Sequence, residues 1–79
     1  MDKLRKIFAR VLDVDESEIT DQISRENAEN WDSFNHLLLI TEIESEFKMC
    51  FTLNEVESIK KLQDMKHLLM DRGVRIDEL

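Results

Sequence analysis

The chain has no proline, no tyrosine and one glycine, Gly73, so it nearly lacks the residues that punctuate turns. Such sparse punctuation suits helices, and no segment alternates polar and apolar residues like a strand for more than a few positions. A single cysteine, Cys50, excludes an internal disulfide and any multi-cysteine metal site. Basic residues are scarce: 11 Lys and Arg stand against 18 Asp and Glu, a net charge of −7. That is the wrong sign for a nucleic-acid backbone and for an anionic membrane surface. No apolar run approaches the roughly 18 residues that a bilayer span requires. The N-terminal stretch MDKLRKIFARVL has charges spread through it, unlike a signal peptide. A cytoplasmic protein is expected.

What is present is enough for a core. Hydrophobic residues make up 42% of the 79 positions and charged ones 37%, a balance that argues for folding rather than disorder. One domain over residues 1–79 is expected, and it should be monomeric. A domain of this size buries only about 60–65% of its unfolded surface. Little room is left for an enclosed active site, so the chain is not read as an enzyme. The acidity serves either solubility or the steering of basic protein partners.

Residues 2–12 place Leu4, Ile7, Phe8, Val11 and Leu12 on one stripe of an amphipathic helix. Residues 13–32 are polar, with Val14, Ile19, Ile23 and Trp31 as the apolar points that would pin a long loop. Loops of that length are uncommon in small domains and often functional. A second helix is expected over 33–47 (SFNHLLLITEIESEF) and a short third over 52–59 (TLNEVESI), where Thr52 and Glu55 match a capping box. A fourth covers 62–71, with Leu62, Met65, Leu68 and Leu69 inward and Gly73 as its C-terminal cap. Lys61 is a poor residue to open it. The sum is an all-α fold: a small four-helix bundle with a long loop after helix one and a short third helix.

The second helix has more apolar surface than one core face needs. At about 100° per residue, Leu37, Ile40, Ile43 and Phe47 form the expected core side. Phe34, Leu38 and Thr41 fall on another, and Glu42 and Glu46 on a third. Either this helix is buried all round, or Phe34 and Leu38 form an exposed docking patch. The helix opens at Asp32–Ser33, and either side chain could be its N-cap.

Three stretches, VLDVDESEIT, WDSFNHLLLITEIESEF and FTLNEVESIKKLQDM, resemble the acyl carrier proteins over Val11 to Leu69. The Asp-Ser pair, the apolar residue after it and the later Glu-x-x-Phe occur in the family's order. NWDSFNHLLLI is similar to a variant seen in carriers outside housekeeping fatty acid synthesis. The resemblance implies that Ser33 receives 4′-phosphopantetheine from coenzyme A, through a separate Mg²⁺-dependent phosphopantetheinyl transferase, with Asp32 as its motif neighbour. The thiol of that arm would carry acyl groups for a loading ligase or acyltransferase and for downstream acyl-handling enzymes. Phe34, Leu38, Thr41 and Val56 are the expected partner-docking residues. A phosphodiester near a helix N-terminus suits the free amides and the dipole, whereas Asp32 opposes it by charge.

The departures are informative. Fatty-acid carriers often have acidic residues where Asn35 and Leu38 stand, a small residue where Trp31 stands, and apolar residues in the loop where Arg25 and Glu29 stand. These changes suggest a specialised pathway with less electrostatic partner recognition. An aminoacyl or peptidyl carrier, or an unmodified acidic helical adaptor, are the alternatives.

Other constellations are weaker. Ser33 and His36 lie three residues apart, but no carboxylate orients the histidine and no nucleophile elbow surrounds the serine. His36 is expected at the core edge and His67 on the surface. Asp13, Asp15 and Ser17 resemble the start of a calcium loop, but Glu18 and Ser24 occupy its diagnostic positions. Cys50 is expected to be a packed thiol, and Trp31 to pack over the bundle end.

Overall fold

The computed structural model describes residues 3–79; residue 2 of the expected first helix lies outside them. Helix α1 runs Lys3–Leu12 and buries Leu4, Ile7, Phe8 and Leu12, the stripe that the sequence spacing dictates. It ends because Asp13 adopts a left-handed conformation (φ 57°), which aspartate tolerates better than most residues. The Val14 N–H then closes back on the Ala9 carbonyl (3.1 Å), the hydrogen bond of a Schellman cap.

The segment 13–32 is loop with one 3-10 turn, Glu16–Glu18. Its ordering has identifiable causes. Ile19 and Trp31 are buried in the core, with Val14 and Ile23 packed against it. Arg5 on α1 donates to the Ile19 and Glu16 carbonyls (both 3.0 Å), and Asn30 Nδ2 donates to the Leu12 carbonyl (2.8 Å). Ser24 forms an isolated antiparallel bridge with Lys61.

Helix α2 is Ser33–Phe47, α3 is Leu53–Ser58 and α4 is Leu62–Asp71. Among the described residues no strand forms. Lys61 provides no side-chain cap for α4. The helix start is set instead by the bridge, through the Leu62 N–H on the Ile23 carbonyl (3.0 Å), and by Asp64, which accepts from the Lys60 N–H (3.0 Å). At the other end Gly73 (φ 96°) takes the left-handed conformation that glycine adopts without strain.

Helix α2 is turned differently from expectation. Its buried residues are His36, Leu39, Ile40 and Ile43. Leu37, expected in the core, is 59% exposed, and Phe47 is only half-buried. The inward stripe begins with a polar side chain, His36, and that rotates the whole face by part of a turn. The charged side packs beside α1, where Arg10 pairs with Glu42 and Lys3 with Glu46. Exposed pairs of this kind contribute about 0–1 kcal/mol each, so the apolar stripe, not the charge pairing, holds α1 to α2.

The capping box of α3 forms as its sequence indicates. The Thr52 N–H donates to Glu55 Oε1 (2.9 Å), and the Glu55 N–H donates to Thr52 Oγ1 (3.2 Å). The first of these bonds is the main cause holding the Glu55 carboxyl below its ordinary value; burial opposes the shift, and Arg72 adds to it. A carboxyl held lower in the folded chain contributes stability above the ordinary carboxylate range, and that contribution is lost as pH falls through the folded-state value. Glu55→Gln is therefore expected to narrow the gap between the urea midpoints at neutral and acid pH, measured by circular dichroism. An unchanged gap would show that the box does not couple to stability.

Cys50 is exposed, contrary to the expected packed thiol. It lies between Met49 and Phe51, both packed against the core, and the linker directs those two inward rather than the thiol. The segment is held by Arg72, which donates to the Cys50 carbonyl (3.0 Å), pairs with Glu55 and lies over the Phe51 ring.

Candidate functional site at the start of the second helix

The turn before α2 is built around Asp32. Its extended backbone lets the side chain swing over the helix end, where Oδ1 accepts from the Asn35 N–H (2.8 Å). The Asp32 carbonyl accepts from the His36 N–H (2.8 Å). Asp32 is thus the N-cap, which settles the ambiguity left by the Asp-Ser pair. Ser33 occupies the first helical position and is exposed. Its hydroxyl is not needed for capping.

Beneath Ser33 the site is rigid. Trp31 is buried, with its ring edge-on to Phe8 (centroids 5.3 Å apart) and stacked near His36. The indole N–H donates to His36 Nδ1 (3.0 Å), and His36 Nε2 lies 2.9 Å from the Val56 carbonyl. An indole can only donate and a carbonyl can only accept. The two partners therefore select the neutral imidazole with its proton on Nε2, and every buried polar atom of the chain Trp31–His36–Val56 is satisfied. This explains how a histidine that is 5% exposed can hold an inward position. It also ties the loop, α2 and α3 together within one turn of Ser33. Trp31 packs as the sequence indicates; His36 lies deeper than the core edge, and His67 is on the surface.

An open groove of about 350 Å³ lies beside Ser33, lined by Arg25, His36, Leu37, Leu53, Val56 and Glu57 as well as Ser33 itself. Ser33 and Val56, far apart in sequence, meet there. Phe34 and Leu38, 70% and 39% exposed, lie on the open side of α2 with exposed Thr41, whose hydroxyl is turned back onto the Leu37 carbonyl (2.9 Å). Val56 is half-buried and walls the groove rather than standing proud. Leu37, expected in the core, and Leu53 (72% exposed) were not among the docking residues expected from sequence. Once His36 is turned inward, however, Phe34, Leu37, Leu38 and Thr41 form a second stripe at helical spacing.

The described residues contain no group of three or more His, Cys, Asp or Glu side chains arranged to hold a metal, and none of the described helices is long and apolar enough to cross a membrane. The arrangement offers an accessible hydroxyl on a fixed turn, an adjoining groove and an apolar rim. No carboxylate is placed to orient His36 toward Ser33, because both ring nitrogens are engaged elsewhere.

No family model matches the chain, and no curated protein matches it. Solved structures do. A chain assigned as an acyl carrier protein from Mycobacterium tuberculosis superposes with a TM-score of 0.78 at 25% identity, over 87% of this chain and 92% of that one. The holo acyl carrier protein from Geobacter metallireducens also has a TM-score of 0.78, at 33% identity, over 89% of this chain and 80% of that one. The shared fold, the extent of coverage and the identity to the second of these place this chain in the acyl carrier protein family.

Proposed function

We propose that this protein carries acyl intermediates as thioesters on a 4′-phosphopantetheine arm attached to Ser33, and that it presents them to partner enzymes without catalysing a reaction itself. The observation that carries this reading is the exposed Ser33 on a turn where Asp32, not Ser33, provides the side-chain cap. In the attachment step Ser33 Oγ forms a bond to the phosphorus that bears the pantetheine of coenzyme A. The P–O–P bond breaks, 3′,5′-ADP leaves, and the hydroxyl proton passes to a base supplied by the transferase. When attached, the arm supplies a thiol that forms the thioester. The residues present fit such a group: the dipole at the start of α2 favours an anion there, and the groove beside Ser33 can receive the arm's first atoms. The partners are then a phosphopantetheinyl transferase, an acyl-loading ligase or acyltransferase, and later acyl-handling enzymes. The location consistent with the composition is the cytoplasm. Intact mass after incubation with coenzyme A, Mg²⁺ and a broad-specificity transferase tests the reading; absence of any adduct on the folded chain would return it to an unmodified adaptor.

Partner enzymes must approach Ser33 across α2, and there the surface is apolar: Phe34, Leu37 and Leu38. Interface energy concentrates in a few such anchors. Leu38→Glu is expected to leave the melting temperature nearly unchanged and to weaken binding to the native loading enzyme by about 1–3 kcal/mol. Leu37→Glu is expected to behave alike, since its side chain is also outside the core. A melting curve beside a loading-rate measurement checks both. A large drop in melting temperature would put these leucines in the core, and unchanged loading in both variants would move the docking surface elsewhere.

A further inference from the structure

Arg25 is accounted for neither by the core nor by the apolar docking surface. It stands at a loop position that the family often fills with an apolar residue, yet here it is exposed. Its backbone is fixed: the Arg25 N–H donates to the Lys60 carbonyl (2.9 Å), beside the Ser24–Lys61 bridge. Arg25 lines the groove that also contains Ser33. Arg10, Arg72 and Arg75 each have a carboxylate partner. Arg25 has none among the described residues, although Glu57 lines the same groove.

An anion attached at Ser33 would meet an unfavourable field. Asp32 is its immediate neighbour, Glu57 is in the groove wall, and the chain carries a net charge of −7. The helix amides offset part of this. Arg25 is the single arginine or lysine of the groove lining, and a guanidinium fork matches two phosphate oxygens at once, where an ammonium meets them as a point charge.

We infer that Arg25 is the ligand of the phosphodiester joined to Ser33. This rests on the proposed modification of Ser33. The guanidinium compensates the charge that Asp32 opposes, and it draws the first atoms of the arm along the groove between α2 and α3 rather than straight into solvent.

The test uses the full chain labelled with ¹⁵N, in four states: apo, holo with a free thiol, and holo loaded from butyryl-coenzyme A or from succinyl-coenzyme A. Mass spectrometry establishes the adduct, and NMR reads the Arg25 Nε–Hε signal and the ³¹P signal of the phosphodiester. The expected result is that the Arg25 signal moves on going from apo to holo, is the same with either cargo, and returns toward its apo position in molar salt, which screens an exposed ion pair. Arg25→Gln, which removes an exposed side chain and leaves the backbone bridge in place, should shift the ³¹P signal while the far-ultraviolet circular dichroism is unchanged, and Arg25→Lys should fall between. An adduct with an unmoved Arg25 signal overturns the inference alone. Movement only with the succinyl cargo also overturns it, by assigning Arg25 to a cargo carboxylate. No adduct on the folded wild type overturns the Ser33 reading and this inference together.

Discussion

Replacing Ser33 with alanine is expected to abolish the phosphopantetheinyl adduct completely while the fold stays intact. The two halves of this outcome have separate causes. The proposed attachment uses an oxygen nucleophile at the first position of α2, and alanine has none. Stability does not need the hydroxyl, because Asp32 supplies the cap, so Ser33→Ala should lie within about 0.5 kcal/mol of wild type, as exposed substitutions usually do. Asp32→Ala makes the contrast. It should cost about 0.5–2 kcal/mol through loss of the cap and leave the Ser33 hydroxyl in place. Intact mass and urea melts on the two variants separate attachment from capping. Full labelling of Ser33→Ala would place the attachment residue elsewhere.

Truncating Trp31 to alanine should have the largest effect on stability, about 3–5 kcal/mol. Natural domains have only about 5–15 kcal/mol in hand, and a short chain sits toward the lower end. The loss has two parts. The ring packs edge-on against Phe8 and over His36, and its N–H satisfies His36 Nδ1. Trp31→Phe separates them: most of the apolar packing is kept, but a buried acceptor is left without its donor, at about 1–3 kcal/mol. Urea unfolding followed by circular dichroism reads both variants. A loss below about 1 kcal/mol for Trp31→Ala would mean that the chain from Trp31 through His36 to Val56 does not hold the Ser33 turn.

The elements themselves were legible because their causes are local. Apolar spacing along α1, the Thr52–Glu55 reciprocal cap and the glycine after α4 each act within one or two turns, so adjacent residues suffice to read them. The face of α2 was not legible. Apolar character fails as a guide where Leu37, Leu38, Leu39 and Ile40 run consecutively, since any rotation buries some of them. The rotation is chosen by His36, and a histidine turns inward only when donor and acceptor partners meet it there. Those partners come from position 31 in the loop and position 56 on α3.

By itself, then, the sequence determined four helices, their order, the long pinned loop, the acidic surface and the serine at the head of α2, because periodicity, caps and charge are properties of neighbouring residues. Only the tertiary structure decided which side of α2 faces solvent, that Asp32 rather than Ser33 closes the helix, and that Arg25, Val56 and Ser33 line one groove. The cap is local, but Asp32 and Ser33 are both capable of it, and the extended backbone at Asp32 is what assigns it. The rotation of α2 and the shared groove depend on hydrogen bonds and packing between segments distant in the chain, and such pairings exist only after the chain has folded.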